Sequence, residues 1–150
     1  MRDNGLQDTY TVSIAAPSYT STITATVVSA DTTMGTVTGG GTYTSGASVT
    51  IKATPNTGYE FVQWTYSGGW GGSNTNATVT WNPTTSGTAT ASFRGKLQTI
   101  TLNANGGSGG TTSVQIRTGT AAGSYPSITK PTYTGHNFLG YYDATSGGTQ

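Results

Sequence analysis

The sequence predicts a mainly β protein made of two small tandem modules that follow an N-terminal strand segment. Apolar residues alternate with threonine in many short runs, which is the pattern of half-buried strands. Glycine clusters separate these runs, as turns do. About half of the residues are Gly, Thr or Ser, and no stretch shows helical periodicity; the best candidate for a helical turn is residues 121–124.

The composition favours a folded chain over a disordered one. Only 7% of the residues are charged and the net charge is +1, whereas disordered chains combine high net charge with few aromatic residues. This chain has three Trp, nine Tyr and three Phe. It has no cysteine, which excludes disulfides and thiolate metal sites, and no basic cluster of the kind that binds nucleic acid. No apolar run reaches the roughly 18 residues of a membrane helix, so we expect no membrane insertion.

The candidate strands follow one another along the chain, each with its apolar residues on one face. Threonine takes most of the opposite positions, and its β-branched carbon favours the extended backbone. The first candidate strand, TYTVSIAA (9–16), lies in the N-terminal segment. The predicted inward residues are, in chain order, Tyr10, Val12, Ile14, Ile23, Ala25, Val27, Val49, Ile51, Ala53, Ala77, Val79, Trp81, Ala89, Ala91, Phe93, Ile100, Leu102, Val114 and Ile116.

An aromatic-rich stretch occurs twice. GYEFVQW (58–64) returns as GHNFLGYY (135–142), each time after a proline, a short polar turn and a Thr-Gly pair. An alternating strand and a glycine cluster (39–41 and 106–110) precede each copy. This order of features indicates an internal repeat.

The repeat divides the chain into three parts. They are an N-terminal strand segment or linker (1–20), a first module (21–96) and a second module (97–150) that is incomplete at its C-terminus. MRDNGLQDTY is not a signal peptide, because no apolar stretch follows its basic residue. We therefore expect either that Met1 begins a segment of a longer secreted protein, or that the protein leaves its cell by another route such as lysis.

Two known families share these motifs. GTVTGGGTYTSGASVTIKATPNTGYEFVQW, with the later TATASF, resembles the divergent internalin-B B-repeat of bacterial surface proteins. TITLNANGGSGGTTSVQIRTGTAAGSYPSITKPTYTGHNFLGYYDATSGGT is similar to the Listeria–Bacteroides repeat, which runs strand, NGG, strand and then P…K.GY.F.GWY. The resemblance implies small β-grasp-like modules of secreted or surface-anchored proteins, which act as stalks, spacers or adhesive units without catalysis or cofactors.

The resemblance also assigns a structural motif within each module. Its residues are Gly58, Tyr59, Phe61, Trp64, Gly135, Phe138 and Tyr141. His136 and Tyr141 depart from the family pattern, which has Tyr and Trp at these places. The large rings could stack on a sugar or anchor the core; we favour the core, because a constraint of the fold recurs in every module. Burying one such ring contributes about 2–3 kcal/mol.

A glycine-rich loop supplies the candidate binding residues. TYSGGWGGSNTN (65–76) carries Tyr66 and Trp70, with Asn74 and Asn76 nearby, and Trp81 follows. Aromatic rings on a loop can bind a protein partner or a carbohydrate. The alternative is that Trp70 folds back over the end of its own sheet.

Catalysis has little support in the sequence. No two of the five carboxylates are close neighbours, and His136 is the single histidine. No zinc or calcium pattern is present. We therefore predict no enzyme activity, no catalytic residues, no metal and no cofactor.

The sequence predicts a non-enzymatic extracellular module of a bacterial cell surface that is structural or adhesive. The alternatives are a virion fibre or decoration protein and a carbohydrate-binding module. Few charges protect the strand edges, so we also expect protein partners or self-association. In one version, the segment 9–28 or a downstream segment completes a module of another copy by strand addition. In the other, the second module is simply cut short.

Overall fold

The computed structural model describes residues 12–15, 18–144 and 148–150. Within these ranges the chain forms ten strands in three sheets and contains no helix. The strands are β1 (Thr22–Ser29), β2 (Gly35–Thr38), β3 (Gly41–Thr44), β4 (Val49–Pro55), β5 (Tyr59–Gly68), β6 (Ser73–Asn74), β7 (Thr78–Trp81), β8 (Gly87–Gly95), β9 (Leu97–Thr101) and β10 (Ser113–Arg117). The predicted mainly β fold is confirmed.

The largest sheet is mixed and has the order β3-β1-β8-β5-β6. Its two central strands, β1 and β8, are parallel, and all other neighbours are antiparallel. The first and last strands of the module therefore lie side by side at the centre. The β5–β8 ladder is the longest, running from the Tyr59–Gly95 pair to the Gly68–Gly87 pair, with a register shift between Phe61 and Gln63.

A second, antiparallel sheet of order β2-β4-β7 packs against the first. Its central strand alternates strictly, with Val49, Ile51 and Ala53 buried and the residues between them exposed. Strand β4 thus confirms the predicted inward set, as do Ile23 and Ala25 of β1 and the two alanines of β8. A sheet occupies the face where a helix would cover a typical β-grasp.

The core between these sheets contains one large side chain. The buried apolar residues are Ile23, Ala25, Val49, Ile51, Ala53, Trp64, Ala89 and Ala91. Half of them are alanines, so the indole of Trp64 supplies much of the apolar volume. Phe61 packs against it with ring centroids 5.7 Å apart, and Phe93 lies 5.9 Å from Phe61. The Trp64 indole N–H donates to the Ala77 carbonyl at 3.4 Å.

The outer faces of both sheets are rich in threonine. In the larger sheet Thr24 stands opposite Thr42, and Thr90 opposite Thr65. Most of these side chains are exposed. In the smaller sheet the hydroxyl oxygens of Thr50 and Thr80 are 2.8 Å apart. These faces offer hydroxyls and methyls with few charges.

The second module is less regular. Strands β9 and β10 form a two-stranded antiparallel sheet, and an isolated bridge joins Ser108 to Thr132. None of the buried apolar residues belongs to it. Ile100, predicted to point inward, is 43% exposed, which corrects that assignment. The second aromatic copy, 135–142, lies outside any strand, whereas the first forms most of β5.

The predicted strand in the N-terminal segment was wrong for the described residues. Residues 12–15 and 18–20 form no strand, and Val12 and Ile14 are exposed; the rest of that predicted strand, with Tyr10, lies outside the described residues. At 121–124 the structure has a turn, in which Ser124 N–H donates to the Ala121 carbonyl at 3.1 Å, and the turn does not extend into a helix.

Replacing Trp64 with alanine should destabilise the first module by about 3–5 kcal/mol, because the remaining small side chains cannot close the cavity. Urea unfolding, followed by the fluorescence of Trp70 and Trp81, measures the change. The matched control is Val28→Ala on the outer face of β1, where the side chain is 40% exposed. A loss as small as that of the control would show that the core does not depend on the indole.

Candidate functional site

The three candidate binding residues lie together. Tyr66 is on β5, Trp70 in the loop after it, and Trp81 at the end of β7. The rings of Trp70 and Trp81 meet edge to face, with centroids 4.9 Å apart and planes at 83°. Tyr66 lies 6.5 Å from Trp70 and 6.1 Å from Trp81. We call these three residues the aromatic cluster. Each ring is partly buried and packs against the core.

Trp70 is fixed against its own sheet. Its indole lies so close to Gly87 that a β-carbon at this position would collide with the ring. The indole N–H donates to the Thr85 carbonyl at 2.9 Å, and the Thr85 hydroxyl donates to the Gly69 carbonyl at 3.2 Å. The alternative in which Trp70 folds back over the end of its sheet therefore describes the structure.

A cleft of about 410 Å³ opens beside the aromatic cluster. Asn74, Asn82 and Thr84 also line it, and none of its lining residues is charged. Asn74 was among the residues noted from the sequence, whereas Asn82 and Thr84, which follow Trp81 in the turn leading to β8, were not. A polar Asn-Pro-Thr turn directly after an aromatic strand end is the signal that would have pointed to them.

Two residues that line the cleft carry a donor without a hydrogen-bond partner among the described residues. Neither the Tyr66 hydroxyl nor the Trp81 indole N–H makes a hydrogen bond within this part of the chain. Burial raises the pKa of Tyr66 above its ordinary value of 10.0, so its hydroxyl stays protonated at neutral pH. Asn82, in contrast, donates from its amide to the Gly46 carbonyl at 3.0 Å, which holds the rim in place.

The structural motif of the first module lies at the start of β5. Gly58 has φ of 85°, as the turn before the strand requires, and Tyr59 and Phe61 are half-buried. Trp64 is fully buried. The Trp64 ring of this motif packs into the protein, with Phe61 against it.

The same motif in the second module has a different setting. Gly135 again has a positive φ, of 79°, but no strand follows it. Phe138 is 38% exposed and meets Tyr141 with centroids 5.1 Å apart. The Tyr141 hydroxyl donates to the Thr111 carbonyl at 3.4 Å. The expectation that Phe138 anchors a core is therefore not met, because the described residues include no second sheet that covers it.

An ion-pair cluster that was not predicted from the sequence connects the two modules. Glu60 on β5 accepts from the Arg94 Nε at 2.7 Å and from Nη1 of Arg117, on β10, at 3.0 Å. Arg117 Nη1 also donates to the Gly95 carbonyl at 2.9 Å. Arg94 and Arg117 hold the pKa of Glu60 below its ordinary value, with Arg94 the larger cause. We call this cluster and its surrounding backbone the joint.

The backbone of the joint is continuous and closely packed. Lys96 alone separates β8 from β9, and its N–H donates to the Gly58 carbonyl at 2.8 Å. Its own carbonyl accepts from Thr118 N–H at 3.0 Å. A β-carbon at Gly95 would collide with the backbone of Thr118, so only glycine permits this approach. Hydrogen bonds therefore hold both the N–H and the carbonyl of Lys96.

The described residues contain no group of three His, Asp or Glu side chains that could hold a metal ion. His136 stacks on Tyr133 with ring centroids 4.3 Å apart. In the same part of the chain, no helix is long and apolar enough to cross a membrane.

A comparison with protein families matches residues 24–97 to the divergent InlB B-repeat domain. The first module is therefore similar to a divergent InlB B-repeat domain. The match covers nearly all of β1 and every strand from β2 to β8, including the aromatic cluster and two of the three ion-pair residues. No curated protein and no solved structure matches the chain.

This similarity points to a surface repeat module. The B-repeat match ends at residue 97, just beyond the joint. The resemblance of the second module to the Listeria–Bacteroides repeat therefore stays a prediction, as do the three boundaries drawn from the sequence.

Replacing Gly87 with alanine should displace the Trp70 indole of the first module. We expect a loss of about 1–3 kcal/mol in the free energy of unfolding, typical of overpacking, and a red-shifted fluorescence as the ring becomes exposed. Gly71→Ala is the matched control in the same loop, since a β-carbon there would meet nothing within 4 Å. If the two variants have the same free energy of unfolding and the same fluorescence maximum, Trp70 does not pack against Gly87.

Proposed function

We propose that this chain is a non-enzymatic extracellular structural module that serves as a rigid spacer on a bacterial surface. The observation that carries the proposal is the joint. Flexible connections between domains are usually Gly- and Ser-rich and make few contacts. Here a single residue connects the modules, and hydrogen bonds hold it on both sides.

The ion pairs of the joint help to fix the angle between the two modules. Glu60 forms ion pairs with Arg94 of its own sheet and with Arg117 of the second module's hairpin. One carboxylate therefore links strands β5, β8 and β10. All three side chains are more than a third exposed, and each pair by itself is therefore weak. Their role in the proposal is to fix an angle rather than to supply large stability.

The surface of the first module also suits a spacer. Its broad outer faces carry threonine hydroxyls and methyls, and few charged groups. A spacer must stay soluble and make few unintended contacts, and a hydroxyl-rich face serves both needs. Similarity to a surface repeat family agrees with this role.

Distance measurements between the two modules test the proposal. The chain has no cysteine, so Thr36→Cys and Gln115→Cys introduce two unique labelling sites on exposed positions of β2 and β10. For a rigid joint we expect a single narrow distance distribution by pulsed electron resonance at neutral pH. Glu60→Gln should broaden it, because the amide retains the shape but loses the charge. A broad distribution in the unsubstituted joint would overturn the spacer proposal.

Asp31→Asn is the matched control, because that carboxylate also has a lowered pKa but bonds only within its own turn. The effect of pH follows from Glu60. Its lowered pKa means that the ion pairs persist through neutral and mildly acidic solution and are lost as the pH falls through that value, below 4.5. The distribution should therefore broaden only in acid, and the Glu60→Gln variant should show no such step.

A further inference from the structure

We propose that the cleft beside the aromatic cluster binds a neutral carbohydrate, as one or two sugar rings of a glycan chain. The proposal adds a binding activity to the spacer and does not depend on it. It rests on the charge, the shape and the free donors of this cleft.

The lining excludes ligands that need charge. Aromatic rings, amides and hydroxyls surround the cleft, and neither Lys, Arg, Asp nor Glu is among them. A phosphate, an acidic peptide or a cation would lose its hydration there without gaining a partner. A neutral sugar has the matching chemistry, since its C–H faces lie on aromatic rings and its hydroxyls exchange hydrogen bonds with amides.

The walls of the cleft are formed before any ligand arrives. Trp70 is fixed by Gly87 and by its bond to Thr85, and it supports Trp81 edge to face. The rim residue Asn82 is held by the Gly46 carbonyl. Because these side chains are already ordered, they lose little conformational entropy when a ligand binds, which matters for ligands that bind weakly.

Two donors are available for recognition. Tyr66 and Trp81 both line the cleft, and the Tyr66 hydroxyl and the Trp81 indole N–H have no hydrogen-bond partner among the described residues. Sugar hydroxyls can accept from both while a ring rests on the aromatic wall. The volume of about 410 Å³ falls within the range of roughly 300–1,000 Å³ for small-ligand sites, so the cleft holds a short segment rather than a long chain.

The test is a titration of the full chain with neutral trisaccharides, namely cellotriose, maltotriose and chitotriose, up to millimolar concentration. Amide and indole chemical shifts report where each sugar binds. We expect one of these sugars to shift the signals of Trp70, Trp81 and Asn82. Tyr66→Phe keeps its ring and removes only the hydroxyl, whereas Trp81→Phe keeps an aromatic ring but removes the indole N–H together with part of the stacking surface; each should weaken binding about fivefold or more. Tyr43→Phe is the matched control, because its hydroxyl bonds to Gly39 outside the cleft.

Three outcomes would overturn the proposal. The first is that no neutral sugar shifts the cleft signals. The second is that Tyr66→Phe and Trp81→Phe bind as well as the control, in variants whose amide spectra show an intact fold. The third is that the charged sugar sialyllactose binds as well as the best neutral one. None of these results bears on the distances across the joint, so the failure of this proposal and the failure of the spacer proposal are distinguishable.

Discussion

The burial of Trp64 between two sheets of small residues is the interaction on which the rest of the fold depends. The chain is only 32% apolar, and four of the eight buried hydrophobic residues in its described part are alanines. Such sheets can approach closely but enclose little apolar volume without one large ring. The indole supplies it, and Phe61 and Phe93 extend the packing towards the joint. Near the other end of β5, the aromatic cluster rests on the same core.

Alternation of apolar residues predicted the first module well, because its strands are buried on one face and exposed on the other. Strand β4 shows this most clearly, since every second residue from Val49 to Ala53 is buried. The aromatic motif at 58–64 was predicted to anchor the core because it recurs, and its Trp64 is fully buried. In the second copy Phe138 is 38% exposed, because the described residues around it form no strands that could cover it. The described part of the second module offers a two-stranded hairpin and no core.

The joint could not be predicted, because it depends on register. Glu60 meets Arg94 through cross-strand pairing that a shift between Phe61 and Gln63 alters, and Arg117 arrives from a strand 57 positions away. The sequence did name the three rings of the aromatic cluster, since all three are bulky groups near a glycine-rich loop. It could not decide whether Trp70 faces solvent or its own sheet. That depends on the open space above Gly87, which is a property of the packed structure.

Native-state hydrogen exchange tests the central role of Trp64 most directly. The account predicts that the Trp64 indole N–H and the amides of β4, β5 and β8 exchange most slowly and at one common free energy, that of global unfolding. The amides of β9 and β10 should exchange faster, since no buried apolar residue lies beneath them. A Trp64 indole that exchanges as fast as the amides of the hairpin would contradict the account.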